Sequence, residues 1–322
     1  MNEPGKKQLL AIGEALIDFI PAQTGCAFDD VTSFSPAVGG APANVCGAFV
    51  RLGGRASLLT QLGDDPFGHK IERDLAGYGI DTSHISFTDR ANTSLAFVSL
   101  AKDGNRTFSF YRKPAADMLY APEQVEAQWF ADAFALHFCS VSLGNYPMKE
   151  AHRAAIACAE KAGCLISFDP NLRFPLWPDR AALKQTVQEF LPQSHIVKIS
   201  DEELEFLTGQ TEIEPALPQL LTGSTQMVIY TCGSRGAWAI TKKTRAFRPA
   251  FSVEAVDTTG AGDGFIGAFL YQMMAAGITP DTLPEAAAGD LEDWLAYAHR
   301  FCSLSVQGKG AIASYPTAED MK

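Results

Sequence analysis

From about residue 120 onward, short apolar runs alternate with stretches whose apolar positions recur at helical spacing. The order is ALHFCSV, a helix-like stretch near 147–162, CLISFDP, another near 179–191, HIVKIS, a third near 201–208, and MVIYTC. Strand and helix repeated in this way predict a parallel, doubly wound sheet with crossover helices on its faces. Ligands of such sheets gather at the carboxyl ends of the strands. The polar residues that close the runs are therefore the ones to follow: Asp169 and Asn171, Ser200 to Glu203, and Gly233.

The first third breaks this rhythm. After LLAIG come LIDFIPA, a Gly/Pro-rich segment and the helix-like NVCGAFVRLG, and later TSLAFVSLAKDGNRTFSFYR alternates around a polar DGN turn. That alternation predicts a β-hairpin. Strands here follow one another without helices between them, which predicts a small β-layer, a lid, formed by about 17–37 and 92–117. No internal repeat or linker divides the chain, so 1–322 reads as one unit.

Composition narrows the partners. With 47% hydrophobic and 20% charged residues in 322, the chain has an ordinary globular make-up and enough length to bury a large core. A formal net charge of −11 argues against nucleic acid and against anionic membrane surfaces as partners. Seven Cys form no CxxC pair and leave an odd one over, as expected of reduced thiols in a cytoplasm. The six His lack metal-ligand spacing. There is no run of about 18 apolar residues, and the stretch MNEPGKKQLLAIGEALIDF lacks the apolar core of a signal peptide. A cytoplasmic protein is expected.

Residues 256–265, VDTTGAGDGF, raise the chemical question. Phe251, Val253 and Val256 precede Gly260-Ala261-Gly262, and helical spacing follows at Phe265, Ile266, Phe269, Leu270 and Met273. The pattern predicts a strand, a glycine turn and a helix. Such a turn attracts an anion through its amides and the helix dipole, yet it carries its own carboxylate, Asp263. Gly262, Gly264 and Gly267 also match the dinucleotide fingerprint GxGxxG. That fold asks for a second strand ending in an acid about 20 residues on, whereas Asp281 lies in the loop-like GITPDTLPEA. Phosphoryl transfer reconciles acid and anion. A carboxylate takes the proton of the acceptor hydroxyl while neighbouring amides stabilise the transferring charge. An acid favouring a helix start accounts for Asp263 equally well at this point. No GxxxxGK[ST], HExxH or GxSxG motif is present.

VDTTGAGDGFIGAF resembles the C-terminal signature of the ribokinase-like (phosphofructokinase-B type) carbohydrate kinases. VGGAPANVCGAFVRLGG followed by LGDDPFG resembles their N-terminal signature, and the resemblance spans about residues 9–316. Within the family, FYRKPAADMLY and FDPNLRFPLWPD are most similar to fructokinases. The resemblance implies an α/β fold, ribokinase-like and doubly wound, with a mostly parallel sheet flanked by helices and a small β-sheet lid. It implies ATP, as its magnesium complex, phosphorylating the 6-hydroxyl of fructose. Kinases for 2-keto-3-deoxygluconate, ribose or a nucleoside such as aminoimidazole riboside are the alternatives, and a catalytically silent sugar sensor is the alternative of another class.

Carried over residue by residue, the family's base falls on Asp263 and its anion hole on Thr259, Gly260, Ala261 and Gly262. The sugar contacts fall on Asp18, Gly39, Gly40 and Asn44, with Arg106 and Phe108 from the lid hairpin. A surface acid, a plain turn and a helix N-cap are the structural alternatives for Asp18, for Gly39-Gly40 and for Asn44. On the ATP side the resemblance implies Asn171, Arg173, Gly262, and Thr231, Gly233 and Gly236 of TCGSRG; His299 stands where relatives often carry Asn, a core histidine being its alternative. Ser200 and Glu203 form an S-x-x-E capping box, and the family's Asn-x-x-Glu puts Glu203 in the magnesium shell. Asp257, Thr259, Gly310 and Ser314 match the family's monovalent cation site, where oxygen ligands suit potassium; a turn closed by Asp257 is the alternative. Lids of the family often pair, which implies a homodimer through the hairpin 93–112.

Overall fold

The computed structural model describes residues 8–23, 25–26, 28–100 and 106–322, without the side chains of residues 100, 106 and 107. In chain order the strands are β1 (Gln8–Ile12), β2 (Leu16–Pro21), β3 (Phe34–Gly39), β4 (Arg55–Gly63), β5 (Ile85–Thr88), β6 (Leu95–Leu100), β7 (Arg106–Tyr111), β8 (Ala133–Cys139), β9 (Leu165–Asp169), β10 (Ile196–Ser200), β11 (Met227–Thr231), β12 (Ala237–Thr241) and β13 (Arg245–Arg248). The helices are α1 (Ala41–Arg51), α2 (Pro66–Gly77), α3 (Pro147–Lys161), α4 (Arg180–Phe190), α5 (Asp201–Thr208), α6 (Ile213–Leu220), α7 (Ala261–Ala275) and α8 (Ala288–Ser305).

Nine strands form one sheet in the order β13-β12-β11-β10-β9-β8-β1-β4-β5. Every pairing from β5 to β11 is parallel, and β12 and β13 close one edge antiparallel. Both faces are covered, because successive side chains of a strand point to opposite sides. Leu9 and Ala11 of β1 join the core under α1, α7 and α8, while Leu10 and Ile12 join the core under α3, α4 and α5. From β1 the chain proceeds outward to β4 and β5 and then returns to the other side of β1 with β8. The order therefore reverses between β1 and β8, and the crevice beyond their carboxyl ends is where a doubly wound sheet receives its ligands.

The second sheet, in the order β3-β2-β6-β7, is the projecting layer. β6 and β7 pair antiparallel as a hairpin; its DGN turn, Asp103 to Asn105, lies outside the described residues. Register places Asp18, Ala96, Val98, Phe108 and Phe110 on one face of this sheet. Phe19, Phe97 and Tyr111 share the other face, where Phe19 and Phe97 stack at 4.6 Å.

Helix starts follow local chemistry. Asp65 caps α2 by accepting from the amides of Phe67 and Gly68, Asp179 caps α4, and Ser200 with Glu203 forms the expected capping box on α5. At α7 the N-cap is Gly260, left-handed at φ 72°, which offers no side chain. One expectation fails just before it. Phe251, Val253 and Val256 form no strand and stand 53%, 39% and 58% exposed. A strand needs a ladder partner. Pro249 interrupts donation just beyond the edge strand β13, and among the described residues this stretch finds only the carbonyl of Val306, taken by the amides of Val256 and Asp257.

Candidate active site

The carboxyl ends of β1, β8, β9 and β10, the inner face of the lid and the starts of α1 and α7 meet at one place. Asp263, in the first turn of α7, is half-buried, and its Oδ2 accepts from Asn44 Nδ2 on α1 at 2.9 Å. Burial is the main cause that pushes its carboxyl up to about 6; the Asn44 bond opposes the rise, Asp169 adds to it, and Arg173 and Lys198 oppose it. A carboxylate with that value is ionised at neutral pH yet basic enough to take a proton.

The glycine turn beside it splits the four amides expected of an anion hole. The Thr259 amide goes to Asp257 Oδ1 at 2.8 Å and the Ala261 amide to the Thr258 carbonyl at 3.1 Å. Among the described residues no acceptor takes the amides of Gly260, Gly262 or Asp263. Two unpaired N–H groups at the uncapped end of α7, with that of Gly260, leave donors and a partial positive charge for an anion.

Behind the turn lies a charge that local pattern does not reveal. Lys198 is buried in β10 and donates to Asp169 Oδ2 at 2.7 Å. A Cβ added at Gly262 would stand 3.4 Å from its Nζ. Asp169 raises the Lys198 pKa above its ordinary value despite burial, so the ammonium keeps its charge. The signal for Lys198 was a lone cation inside the apolar run HIVKIS, since a strand covered on both faces admits a charge only with a partner.

On the sugar side, geometry explains both glycines. A Cβ at Gly39 would fall 2.2 Å from Asp18 Oδ2, so glycine leaves the room in which that carboxylate lies. Gly40 is the N-cap of α1 at φ 110°, and a Cβ there would meet the Glu14 carbonyl at 2.5 Å. Asn44 is inside α1 rather than at its cap; its Oδ1 is buried without a partner while its Nδ2 holds Asp263. Such an orphaned acceptor is an opening for a ligand hydroxyl. The helix start is capped from a distance: Glu14 Oε1 accepts from the Ala41 amide at 3.3 Å, and its Oε2 accepts from Ser142 Oγ at 2.7 Å. Arg112, at the base of the lid, donates to Ser142 Oγ and to the buried Asp117, tying lid to sheet. Phe108 lies on the Asp18 face of the lid, stacked on Phe110 at 5.7 Å. Arg106 opens β7, but its side chain lies outside the described residues.

The nucleotide-side expectations spread over the ends of β9, β10 and β11. Asn171 adopts φ 44°, its amide held by Asp169 Oδ1, and Arg173 is exposed next to it with its charge felt at Asp263. Thr231 ends β11 and Gly233 is exposed in the following turn at φ 54°. Gly236 has a packing reason of its own, since a Cβ there would meet the Arg248 carbonyl at 2.3 Å. His299 is not brought to this group: it is buried on α8, edge-on to Phe265 at 5.1 Å.

Two groups of oxygen atoms bear on ion binding. Glu203 accepts from the Ser200 amide with Oε2 and from the Leu172 amide with Oε1, each at 2.9 Å. Each oxygen retains a lone pair, which suits a water of a magnesium shell better than direct ligation. Asp257 binds the Thr259 amide and hydroxyl with one oxygen and the Gly310 amide with the other, while Ser314 Oγ donates to the Gly310 carbonyl at 2.7 Å. Asp257 thus closes a turn and also gathers an all-oxygen group with Thr259, Gly310 and Ser314, which fits a hard monovalent cation.

A family model, pfkB family carbohydrate kinase, matches residues 6–318. The chain belongs to that family. Among relatives of this kinase, fructokinase-2 of Solanum lycopersicum is 39% identical over 313 residues, covering 97% of this chain and 94% of the relative. The fructokinase of Xylella fastidiosa with bound ATP superposes with a TM-score of 0.90 at 33% identity, covering 98% of this chain and 97% of that one. The fructokinase of Vibrio cholerae O395 in its fructose, ADP and calcium ion bound form gives 0.86 at 32% identity, with 98% of each chain covered. The kinase therefore shares both the mostly parallel sheet and the small second sheet with enzymes that act on a sugar hydroxyl. Among the described residues no helix is long and apolar enough to cross a membrane.

Proposed function

We propose that this kinase transfers the γ-phosphoryl of MgATP to the 6-hydroxyl of fructose, giving ADP and fructose 6-phosphate. The observation that carries the reading is the pairing of Asp263, held by Asn44, with the unpaired amides at the start of α7. In the proposed step the fructose O6 forms a bond to the γ-phosphorus as the bond to the β,γ-bridging oxygen breaks, and the hydroxyl proton passes to Asp263. The amides of Gly260, Gly262 and Asp263 hold the equatorial charge. Asp18 and the free Oδ1 of Asn44 take sugar hydroxyls above Gly39 and Gly40, with Arg106 and Phe108 on the lid side. Asn171, Arg173, Thr231 and Gly233 receive the nucleotide; Gly236 shapes their turn, and His299, packed on Phe265, stands apart from them.

Bound magnesium would neutralise charge between the phosphates, with Glu203 holding one of its waters. A potassium ion among Asp257, Thr259, Gly310 and Ser314 would stiffen the turn. Fructose is favoured over other acceptors because the named relatives are fructokinases, one of them holding fructose with ADP. The partly exposed aromatic face of the lid, with Tyr111 at its edge, supports a homodimer through that sheet. Seven cysteines, none of them in a disulfide, support a reducing cytoplasm.

A coupled ADP-release assay over fructose, ribose, 2-keto-3-deoxygluconate and aminoimidazole riboside tests the reading. Fructose should show the highest kcat/KM, and Asp263→Ala should abolish turnover on it. A preference for another acceptor overturns the fructose assignment. Fructose binding without ADP formation overturns phosphoryl transfer and leaves a sensor.

A further inference from the structure

The anion-binding turn rests on a glycine that has little to hold it. Gly260 occupies the left-handed region, which glycine enters and leaves at almost no cost, and no side chain caps the helix that follows. Its peptide links two halves of the site, because the Gly260 carbonyl and the Ala261 amide belong to the same plane. Rotation of that plane would pull the Ala261 amide off the Thr258 carbonyl and undo the first helical bond, from the Gly264 amide to the Gly260 carbonyl at 2.7 Å, loosening the start of the helix whose bare amides face the anion.

One side chain opposes this rotation. Tyr315 donates its hydroxyl to the Gly260 carbonyl at 2.7 Å, filling the second acceptor position of that oxygen. The ring is 1% exposed, leans on Phe301 at 5.2 Å, and is anchored through its own carbonyl, which accepts from Arg51 Nε at 2.9 Å. A Cβ at Gly260 would lie 2.6 Å from the Tyr315 hydroxyl oxygen, so ring and glycine fit only together. Arg51 is the last residue of α1, the helix that carries Asn44. Burial raises the phenol pKa well above its ordinary value, so the hydroxyl stays a donor throughout the working pH range.

We infer that Tyr315 is a positioning residue for phosphoryl transfer, its hydroxyl locking the Gly260 peptide so that the amides around it face the transferring phosphoryl group. The inference deepens the transfer reading given above and rests on it. The hydroxyl, not the ring, does the locking, so Tyr315→Phe is the test variant. One neutral hydrogen bond lost only from the charged arrangement predicts a kcat about tenfold lower with the fructose KM changed less than about twofold.

A second readout does not depend on turnover. In calorimetry with fructose and magnesium, ADP plus fluoroaluminate, which mimics the transferring group, should bind Tyr315→Phe about tenfold more weakly, while ADP alone binds it as it binds the wild type. The titration stoichiometry reports the folded fraction, so a partly unfolded variant still yields both affinities. Unchanged kcat and mimic affinity, or equal losses for mimic and for ADP alone, overturn the inference. Absence of fructose turnover in the wild type would instead count against the substrate reading. The mimic-to-ADP ratio, measured then with whichever sugar of the panel is accepted, still decides the role of Tyr315.

Discussion

Replacing Asp263 by Asn separates catalysis from stability at one atom. The exchange keeps the shape, and the new carbonyl oxygen can still accept from Asn44 Nδ2, which now binds Asp263 at 2.9 Å. Removing a general base typically lowers kcat by about 10²–10⁴, or about 3–5 kcal/mol of barrier. Stability should move the other way. The folded protein raises this carboxyl to about 6, from an ordinary value of about 4, so its ionisation costs the folded state about 3 kcal/mol. That cost is fully present above the folded value and vanishes below the unfolded one. The Asn variant should therefore be the more stable protein at pH 7, by about 4 °C in Tm for a chain of 322 residues. The gain should fade as the pH falls from about 6 to below about 4, where the wild-type carboxyl is protonated in both states. Calorimetric melts of both proteins across this range, with steady-state kinetics at each pH, supply the numbers. The acid limb of kcat/KM in the wild type should sit near pH 6 and be missing from the residual rate of the variant. A variant that phosphorylates within about tenfold of the wild type, or one that melts lower at pH 7, would refute the assignment of Asp263 as a buried base.

Gly39→Ala puts a methyl 2.2 Å from the Asp18 carboxylate and should raise the sugar KM by about tenfold or more with a smaller change in the ATP KM; equal changes in both would point to a general distortion. Lys198→Met leaves Asp169 buried without its cation, a loss of about 3–5 kcal/mol read from urea midpoints. Adding Asp169→Leu should recover most of that stability but not the rate, and recovery of both would remove Lys198 and Asp169 from the site. Asp257→Ala deprives the Thr259 amide and hydroxyl and the Gly310 amide of their acceptor. It should lower kcat by about tenfold and flatten the difference between potassium and sodium chloride; a persistent potassium response would place the cation elsewhere.

Local chemistry made most of the scaffold legible. The runs ALHFCSV, CLISFDP, HIVKIS and MVIYTC became β8 to β11, and SDEEL became a capped helix because a capping box needs only residues three apart. The stretch 251–256 misled for a physical reason: alternation describes a half-buried strand, and this segment alternates without a partner to bury it. For the candidate site the sequence offered a set of residues, several of which the fold gathers at one sheet edge, but not the bonds between them. Asn44 and Asp263 meet across 219 residues of chain, and Lys198 and Asp169 across 29. Neither pairing leaves a trace in local spacing. Nor could spacing say that Thr259 and Ala261 spend their amides inside the turn, which moves the available donors to Gly260, Gly262 and Asp263.

The GxGxxG that invited a dinucleotide reading has a packing origin at two of its glycines. At Gly264 a Cβ would come within 2.9 Å of the Phe301 ring and at Gly267 within 2.6 Å of the Ala48 methyl and 3.0 Å of the Val45 carbonyl, whereas at Gly262 it would make only ordinary contact with Lys198 Nζ, at 3.4 Å. Gly47 of α1 makes the same concession to Ile312, which a Cβ would meet at 2.6 Å. Glycine costs a helix about 1 kcal/mol per position relative to Ala, and α7 carries three of them near its start. The return is distance. Only with these side chains absent can α7 lie against α1 and α8 closely enough for Asn44 to reach Asp263 and for Tyr315 to reach the Gly260 carbonyl. The spacing resembles a nucleotide fingerprint because both solve one problem, a helix start pressed against its neighbours with bare amides facing an anion. What sets this helix start apart is the acid in its first turn, held by Asn44 beside the bare amides.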